Sequence, residues 1–312
     1  MFSLSDVVCP GLPGTFNIAF DGSSLCVVSE SKSDIKALAN VICGICPPLS
    51  GELTMDPCQI PYANRTLPCS LTVKEYVDTL CALNGSAQSV YSYELIADYK
   101  SRSIRNLSEH EKAIVALGVA LSSDPDCAFL FDITSGLRLD QREDVINKML
   151  SDEHDTFVIY SSDSESELKK SEYTLALYGG CQMFFGKTEE FIKKATEPSS
   201  MTVRVMGAGD SVNAFFDSYG VSAAADTKKN VYKATLPPTT DLAKLKSELC
   251  AARLHFIDAK EDADKISRLY CTLLENDRTL NDDYEQYKFE NAGPKKLEIS
   301  DLIFNEDEED DE

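Results

Sequence analysis

Cys43 and Cys46 have the Cys-x-x-Cys spacing that can bind a metal ion or exchange a disulfide. They lie in an apolar run with helical spacing that includes Val41 and Ile42. No second pair of this kind stands at the distance that a zinc site requires. Buried reduced thiols behave as small apolar side chains. We therefore interpret these two cysteines as reduced core residues, and we expect no metal site.

The remaining candidates for metal or nucleophile chemistry are isolated. The histidines His110, His154 and His255 have no companions that would form a metal site or a catalytic triad. The eleven cysteines are odd in number and scattered over 312 residues, and the opening residues lack the pattern of a secretory signal. We therefore expect no disulfide scaffold.

The overall charge narrows the classes of partner. The chain carries 30 basic and 52 acidic residues, a formal net charge of −22, and its last seven residues are all acidic. A field of that sign repels phosphate backbones, so we expect no nucleic acid partner. No run approaches eighteen uninterrupted apolar residues, so we expect no membrane-spanning segment.

The first part of the chain alternates strands and helices. Its patterns predict a hairpin of residues 16–20 and 25–28, and a helix over about 36–46 that Pro47 and Pro48 end. Apolar residues at helical spacing follow Thr72, and a second strong helix is predicted over 108–121. Two runs that are apolar on both faces, with a helix near 141–150 between them, predict buried parallel strands at residues 127–131 and 156–160. The fold class is α/β with a parallel sheet.

A second pattern begins near residue 199. Strands at 202–205, 221–225, 231–236 and 254–257, with helices at 210–218 and 242–252, follow the β-α-β-β-α-β order of ferredoxin-like domains. A further helix is predicted over 262–274. We expect a small α+β domain over residues 199–278, and a polar, acidic, disordered tail over 279–312.

Several motifs of the first part stand in a family order. Ser50-Gly51-Glu52 follows a helix exit, Leu107-Ser108 precedes a helix, and Asp132 ends an apolar strand before Thr134-Ser135-Gly136-Leu137. Their order resembles that of the ATPase subunits of ATP-binding cassette (ABC) transporters over residues 14–195. The resemblance implies a P-loop NTPase-like core over 1–198 with a helical subdomain near 65–115. The small domain resembles the C-terminal extension of ABC ATPases that serve a separate permease.

The resemblance places a degenerate phosphate loop, or Walker A motif, at residues 29–37. The family pattern is GxxxxGK[ST], whose glycines let backbone N–H groups approach phosphate. Here Asp34 stands at a glycine position, Ile35 at the lysine and Lys36 at the magnesium-coordinating hydroxyl. Only Lys32 and Lys36 could offset the charge of Asp34. The vestigial nucleotide positions implied are Lys32, Ile35, Lys36 and the retained Walker aspartate, Asp132.

The other family positions have lost their chemistry. Arg65 replaces the glutamine that contacts magnesium, Ile133 replaces the catalytic glutamate, and Asp163 replaces the switch histidine. An apolar side chain cannot act as a general base. The family signature LSGG is represented by Leu107, Ser108, Glu109 and His110, so Glu109 puts an anion where amides would meet a phosphate.

The surviving residues also have structural interpretations. Asp132 can end a strand, and Asp163 can cap a helix over 164–170. Ser108 and Glu111 have the spacing of a capping box. These interpretations are compatible with a site that has lost its catalysis.

Retention of the core-building motifs with loss of the polar chemistry predicts a pseudo-ATPase. We expect it to pair with an active ABC ATPase, a polytopic permease or both, in the cytoplasm at the inner face of a membrane, without a cofactor. Two alternatives stay open. One is a divergent but active ATPase that uses Mg·ATP, and the other is a stand-alone interaction or regulatory protein.

Overall fold

The structure is a computed structural model that describes residues 2–55, 60–197, 200–226, 228–237, 240–262 and 265–291. Its central sheet has six strands in the order β5-β6-β7-β3-β8-β9. All neighbours are parallel except the hairpin of β8 and β9. In chain order these strands are β3 (Ser24–Ser29), β5 (Tyr62–Ala63), β6 (Cys127–Leu130), β7 (Phe157–Ser161), β8 (Tyr173–Tyr178) and β9 (Cys181–Lys187).

A second sheet of three antiparallel strands, β2-β1-β4, packs beside the first. It consists of β1 (Phe2–Val8), β2 (Thr15–Phe20) and β4 (Ser50–Leu53). The expected hairpin of β2 and β3 is therefore wrong, because these strands belong to different sheets. The five buried residues that begin β3 require cover on both faces, whereas β2 alternates between exposed and buried residues. The ring centroids of Phe20 and Phe157 lie 4.4 Å apart where the sheets meet.

The first helix, α1, spans Lys32–Ile42 and not residues 36–46 as expected. It begins after Ser31, which is extended, and its buried face includes Ile35 and Leu38. It ends at Ile42 because Gly44 adopts a left-handed conformation with φ of 67°. Cys43 and Cys46 therefore follow the helix, and burial raises the pKa of the Cys43 thiol to about 12.

The helices of the first part otherwise follow the sequence pattern. Ser108 is an N-cap in the expected capping box with Glu111, and Thr72 is the N-cap of the preceding long helix, in a capping box with Glu75 that was not predicted. The helical segment that lies between β5 and β6 in the chain is held together by a separate cluster of buried apolar residues. The helices are α2 (Val73–Asn84), α3 (Val90–Ile96), α4 (Glu109–Ala120), α5 (Leu139–Met149), α6 (Glu165–Leu168) and α7 (Thr188–Thr196).

The last sheet has the expected ferredoxin-like topology. Its antiparallel order β11-β12-β10-β13 places the first and third strands of the segment side by side in the middle. Residues of α8 and α9 pack on one face in a cluster of their own. The elements are β10 (Ser200–Met206), α8 (Gly209–Asp217), β11 (Ala223–Ala225), β12 (Val231–Leu236), α9 (Leu242–Ala251) and β13 (His255–Asp262).

The final helix differs from the expectation in length and place. It spans Lys265–Asn291, so the expected boundary at residue 278 falls inside a helix. Its apolar residues join the core of the first part and not that of the small domain. Residues 279–291 are therefore helical, and the rest of the expected tail lies outside the described residues. We name this helix α10.

Candidate functional site

A cavity of about 200 Å³ lies at the carboxyl ends of β3, β6 and β7, beside the start of α1. We call it the Lys32 cavity. Four residues predicted from the sequence line it, namely Lys32, Ile35, Asp132 and Asp163. Parallel strands place the residues that follow them at one edge of a sheet, which is why these distant positions meet.

Lys32 is engaged inside this cavity. Its Nζ donates hydrogen bonds to Asp132 Oδ1 at 2.6 Å and to Ser135 Oγ at 2.8 Å. Asp132 is held in turn, because its N–H donates to Ser161 Oγ at 2.7 Å and its backbone is left-handed, with φ of 54°. The cation and the carboxylate therefore satisfy each other.

The connection from β3 to α1 is short. Only Glu30 and Ser31 separate the end of β3 from the first residue of α1. Lys32 and Asp34, which the resemblance places in the phosphate loop, lie in the first turn of α1. Asp34 Oδ2 accepts a hydrogen bond from the Gly180 N–H at 2.9 Å. Lys36 is exposed on α1 and does not line the cavity.

The position next to Asp132 is apolar and enclosed. Ile133 is fully buried and packs in the core. Asp163 accepts a hydrogen bond from Arg142 Nη1 at 2.9 Å. Its sequence position suggested that Asp163 caps the following helix. The structure differs, because the N-cap of α6 is Ser164.

A buried charge network beneath the cavity was missed by the sequence analysis. Arg142 Nη1 also donates to Glu167 Oε1 at 3.1 Å, and both side chains are about 95% buried. Thr134 and Ser162 donate to the other oxygen of Glu167. Burial raises the pKa of Glu167, and the nearby Arg142 guanidinium opposes that rise. This network holds the loops after β6 and β7 together.

The signature positions lie apart from the Lys32 cavity, at the start of α4. The Ser108 hydroxyl accepts from the Glu111 N–H. Glu109 lies 2.7 Å from Lys112 Nζ and 3.4 Å from Arg65 Nη1, and the hydrogen bond from Lys112 lowers its pKa. His110 Nε2 lies 2.9 Å from Asp144 Oδ2. Arg65 is therefore brought to Glu109, and neither lines the cavity.

The last helix covers the cavity. Thr272 and Asn276 of α10 line it together with two leucines of the same helix. The Asn276 side-chain N–H donates to the Asp163 carbonyl oxygen at 2.8 Å. No aromatic side chain is among the described residues that line it.

A larger cavity of about 600 Å³ lies between α2, the end of α4 and β5. Its described lining contains Asp124 and Asp126 but no lysine or arginine. It therefore offers no cation to a phosphate group, and the Lys32 cavity remains the candidate site.

Within the described ranges, no group of three His, Cys, Asp or Glu residues is arranged to hold a metal ion. No helix in those ranges is long and apolar enough to cross a membrane.

Comparisons with known proteins find structural likeness without sequence likeness. No protein-family model matches the sequence, and no curated protein matches it significantly. Among solved structures, a chain described as an inward-facing metal-chelate type ABC transporter is 13% identical. It has a TM-score of 0.54, with 76% of this chain and 96% of that chain covered.

Two further structures agree. A dimeric bacterial ABC transporter cassette is 17% identical, with a TM-score of 0.52, covering 60% of this chain and 99% of that one. A bacterial Atm1-family ABC exporter with ATP bound is 16% identical, with a TM-score of 0.51, and 62% of this chain matches 40% of the exporter. With the six-stranded sheet and the elements around it, this likeness establishes that the chain has the fold of an ABC transporter ATPase cassette.

Proposed function

We propose that this chain is a catalytically inactive ABC cassette, which pairs with a competent ABC ATPase and serves a polytopic permease. The observation that carries the proposal is the contact of Lys32 with Asp132 and Ser135. These side chains bind each other at the sheet edge where, by the resemblance, a phosphate and its cation would be held.

The dimensions of the site support the absence of nucleotide binding. Pockets for small molecules usually measure about 300–1,000 Å³, so the Lys32 cavity, at about 200 Å³, is small for a nucleotide. Glu30 and Ser31 alone connect β3 to α1, which is too short for a loop that wraps a phosphate group. The residues present therefore do not fit Mg·ATP.

The chemistry of the remaining positions supports the absence of hydrolysis. General acid–base catalysis requires a titratable group within hydrogen-bond reach of water, and Ile133 is apolar and fully buried. At the signature position Glu109 is occupied by Lys112 and Arg65 and adds a negative charge at the start of α4. This carboxylate competes with a phosphate group for the cations Lys112 and Arg65.

The pairing role rests on what the chain has retained. In the ABC family, as the resemblance implies, two cassettes face each other with the phosphate loop of one opposite the signature of the other. We name as the pairing face the surface that carries the Lys32 cavity, Arg138 and the loop after β7. A chain kept for its shape would preserve this face and the sheet beneath it.

The decisive experiment is a calorimetric titration of the purified chain with Mg·ATP up to millimolar concentration. We expect no binding heat and no change in unfolding temperature. A ligand at a hundredfold excess over its Kd stabilises the folded state by about 2.7 kcal/mol. Stabilisation of that size, with hydrolysis lost in Asp132→Ala, would establish the divergent active ATPase instead.

The partner is tested by co-expression with any ABC ATPase and polytopic permease that neighbouring genes encode. Co-purification in defined stoichiometry is expected. A chain that stays monomeric beside both, at micromolar concentration, would point to a stand-alone regulatory protein and overturn the pairing role.

A further inference from the structure

The cavity of about 600 Å³ lies at the opposite edge of the central sheet from the Lys32 cavity. Pro61 and Asp126 directly precede β5 and β6, and both line this cavity. An adjoining cavity of about 350 Å³ is lined by Phe157, the first residue of β7, and again by Asp126. Because Asp126 belongs to both linings, the two cavities meet there. We name the two together the amino-edge cavity.

The charge in the amino-edge cavity is of one sign. Its lining includes the carboxylates of Asp21, Asp124 and Asp126, all three exposed. No lysine or arginine stands among the described residues of either lining. In the part of the chain that the structure describes, none of these carboxylates forms an ion pair or a side-chain hydrogen bond. A ligand with a cationic group would supply the partner that they lack.

Another part of the lining is apolar. Tyr76 and Leu80 of α2 and Val119 of α4 are half-buried there, and the half-buried ring of Phe157 lines the adjoining cavity. A bare metal ion would leave this surface uncovered, and the described residues hold no group of ligands arranged for one. A hydrocarbon group packed on the apolar lining would gain from leaving water. The lining therefore favours a cation that carries an apolar body.

The loop that carries two of the carboxylates is held in place at both ends. The Ser122 hydroxyl donates to the Val119 carbonyl at 2.8 Å, and the Ser122 carbonyl accepts from the Ser89 N–H at 2.8 Å. At the other end the Asp126 carbonyl accepts from the Phe157 N–H at 3.0 Å. A ligand would therefore meet a backbone that is already ordered, which lowers the entropic cost of binding.

We propose that the amino-edge cavity binds a small organic amine. Asp124 and Asp126 hold its ammonium group, and its apolar body packs on Leu80 and Val119. The larger cavity alone, at about 600 Å³, falls within the range of about 300–1,000 Å³ that is usual for small-molecule pockets. This inference goes beyond the proposed function and does not depend on it, because the Lys32 cavity takes no part.

The first experiment compares three ligands on the full wild-type chain by calorimetric titration. The probe is 2-phenylethylammonium, 2-phenylethanol has the same apolar body without the charge, and ethylammonium has the charge with little apolar surface. The solution contains about 0.15 M salt, where a Debye length of about 8 Å screens general attraction to the acidic chain. We expect 2-phenylethylammonium to bind at least about tenfold more tightly than either of the other two.

The second experiment removes the two carboxylates in Asp124→Asn combined with Asp126→Asn. The matched control is Asp282→Asn with Asp283→Asn, which removes the same charge from exposed positions on α10. We expect 2-phenylethylammonium to bind at least about tenfold more weakly to the first variant. Its affinity for the control should equal that for the wild type.

Equal loss in both variants would overturn the proposal, because the net charge of −22 and not the cavity would then attract the amine. Equal binding of the amine and the alcohol, or of the two amines, would overturn it as well. If the double variant fails to fold, the three ligands on the wild type decide alone.

A last comparison separates a free amine from a lysine side chain of another protein. We expect N-acetyllysine methylamide, which presents a lysine side chain between two amide groups, to bind more weakly than 2-phenylethylammonium. Tighter binding of the lysine compound would overturn the small-molecule site and assign the cavity to a protein ligand. None of these titrations bears on the binding of Mg·ATP.

Discussion

Lys32 Nζ lies 2.6 Å from Asp132 Oδ1, across the edge of the central sheet. This contact joins the first residue of α1 to the loop that follows β6. Both partners remain partly exposed, with 52% of the Lys32 side chain and 32% of the Asp132 side chain accessible. Asp132, which the resemblance places at the Walker aspartate, is here joined to a lysine.

Replacing either partner should change stability little. Exposed ion pairs contribute about 0–1 kcal/mol, so Lys32→Met and Asp132→Asn should each lower the free energy of unfolding by less than about 1 kcal/mol. Urea denaturation of both variants and their combination gives the coupling energy. Lys36→Met, exposed on the same helix, is the control. A loss above about 2 kcal/mol in either single variant would show that the contact is a structural support.

The buried pair of Arg142 and Glu167 should behave differently. Removing one partner leaves an uncompensated buried charge, so Arg142→Met should cost about 3–5 kcal/mol. Arg138→Met is the matched control, because Arg138 is 40% exposed and pairs with Asp140 at the surface. Denaturant unfolding measures both. A cost for Arg142→Met no greater than the control would contradict the network.

Glu111 provides a test in pH. Its pKa is lowered, first by the hydrogen bond from the Arg102 side chain and also by the Ser108 amide. A carboxyl whose pKa is lower in the folded protein than in the unfolded chain stabilises the fold at pH values above its unfolded pKa. This stabilisation is lost as the pH falls through the folded pKa. Glu111→Gln should therefore cost about 1 kcal/mol at pH 7 and progressively less toward pH 3.

The measurement is the free energy of unfolding of both chains across that pH interval. Glu94→Gln, at an exposed position on α3, should show no such trend. A difference that stays constant with pH would mean that packing, and not charge, accounts for the effect of Glu111.

Gly51 has a steric role in the motif Ser50-Gly51-Glu52. Its φ is 90°, and a Cβ there would lie 2.4 Å from the Asp6 carbonyl oxygen. Gly51→Ala should therefore cost about 3 kcal/mol or more. Gly136 has φ of 72° but no atom within 4 Å of a built Cβ, so Gly136→Ala should cost only about 1–2 kcal/mol. Equal costs in thermal unfolding would contradict the steric argument.

Much of the architecture could be predicted because local patterns and tertiary demands agree. The capping box at Ser108 satisfies helix amides from neighbouring residues. The runs that became β6 and β7 are apolar on both faces, which only a covered parallel strand satisfies. These features need no knowledge of distant contacts.

The misplaced elements depend on such contacts. A tight turn between β2 and β3 is compatible with a hairpin, and only the burial of β3 on both faces distinguishes the two sheets. For α10, Leu273, Leu280, Tyr284 and Tyr287 continue a helical spacing that the sequence already contained. The polar residues between them obscured this stripe.

The candidate site was predictable only in part. The resemblance assigned Lys32 and Asp132 to the same vestigial nucleotide site. Their direct contact, and the hydrogen bond from Lys32 to Ser135, depend on where α1 begins. Capping rules did not predict that first residue, because the Ser31 side chain makes no capping hydrogen bond. The pair of Arg142 and Glu167 joins α5 to α6 and has no local sequence signature.

The small domain is attached at neighbouring points, because Ser200 in its first strand is paired with Asp262 in its last. The residues of the small domain are contiguous in the chain. The core of the cassette, in contrast, also includes apolar residues of α10, from Ile266 to Leu273, which follow the small domain. During synthesis the small domain can therefore finish folding while the cassette still lacks a helix. The cassette core is completed only when α10 has left the ribosome, so a chain that stops before α10 would leave the apolar surface around Phe191 open to aggregation or proteolysis.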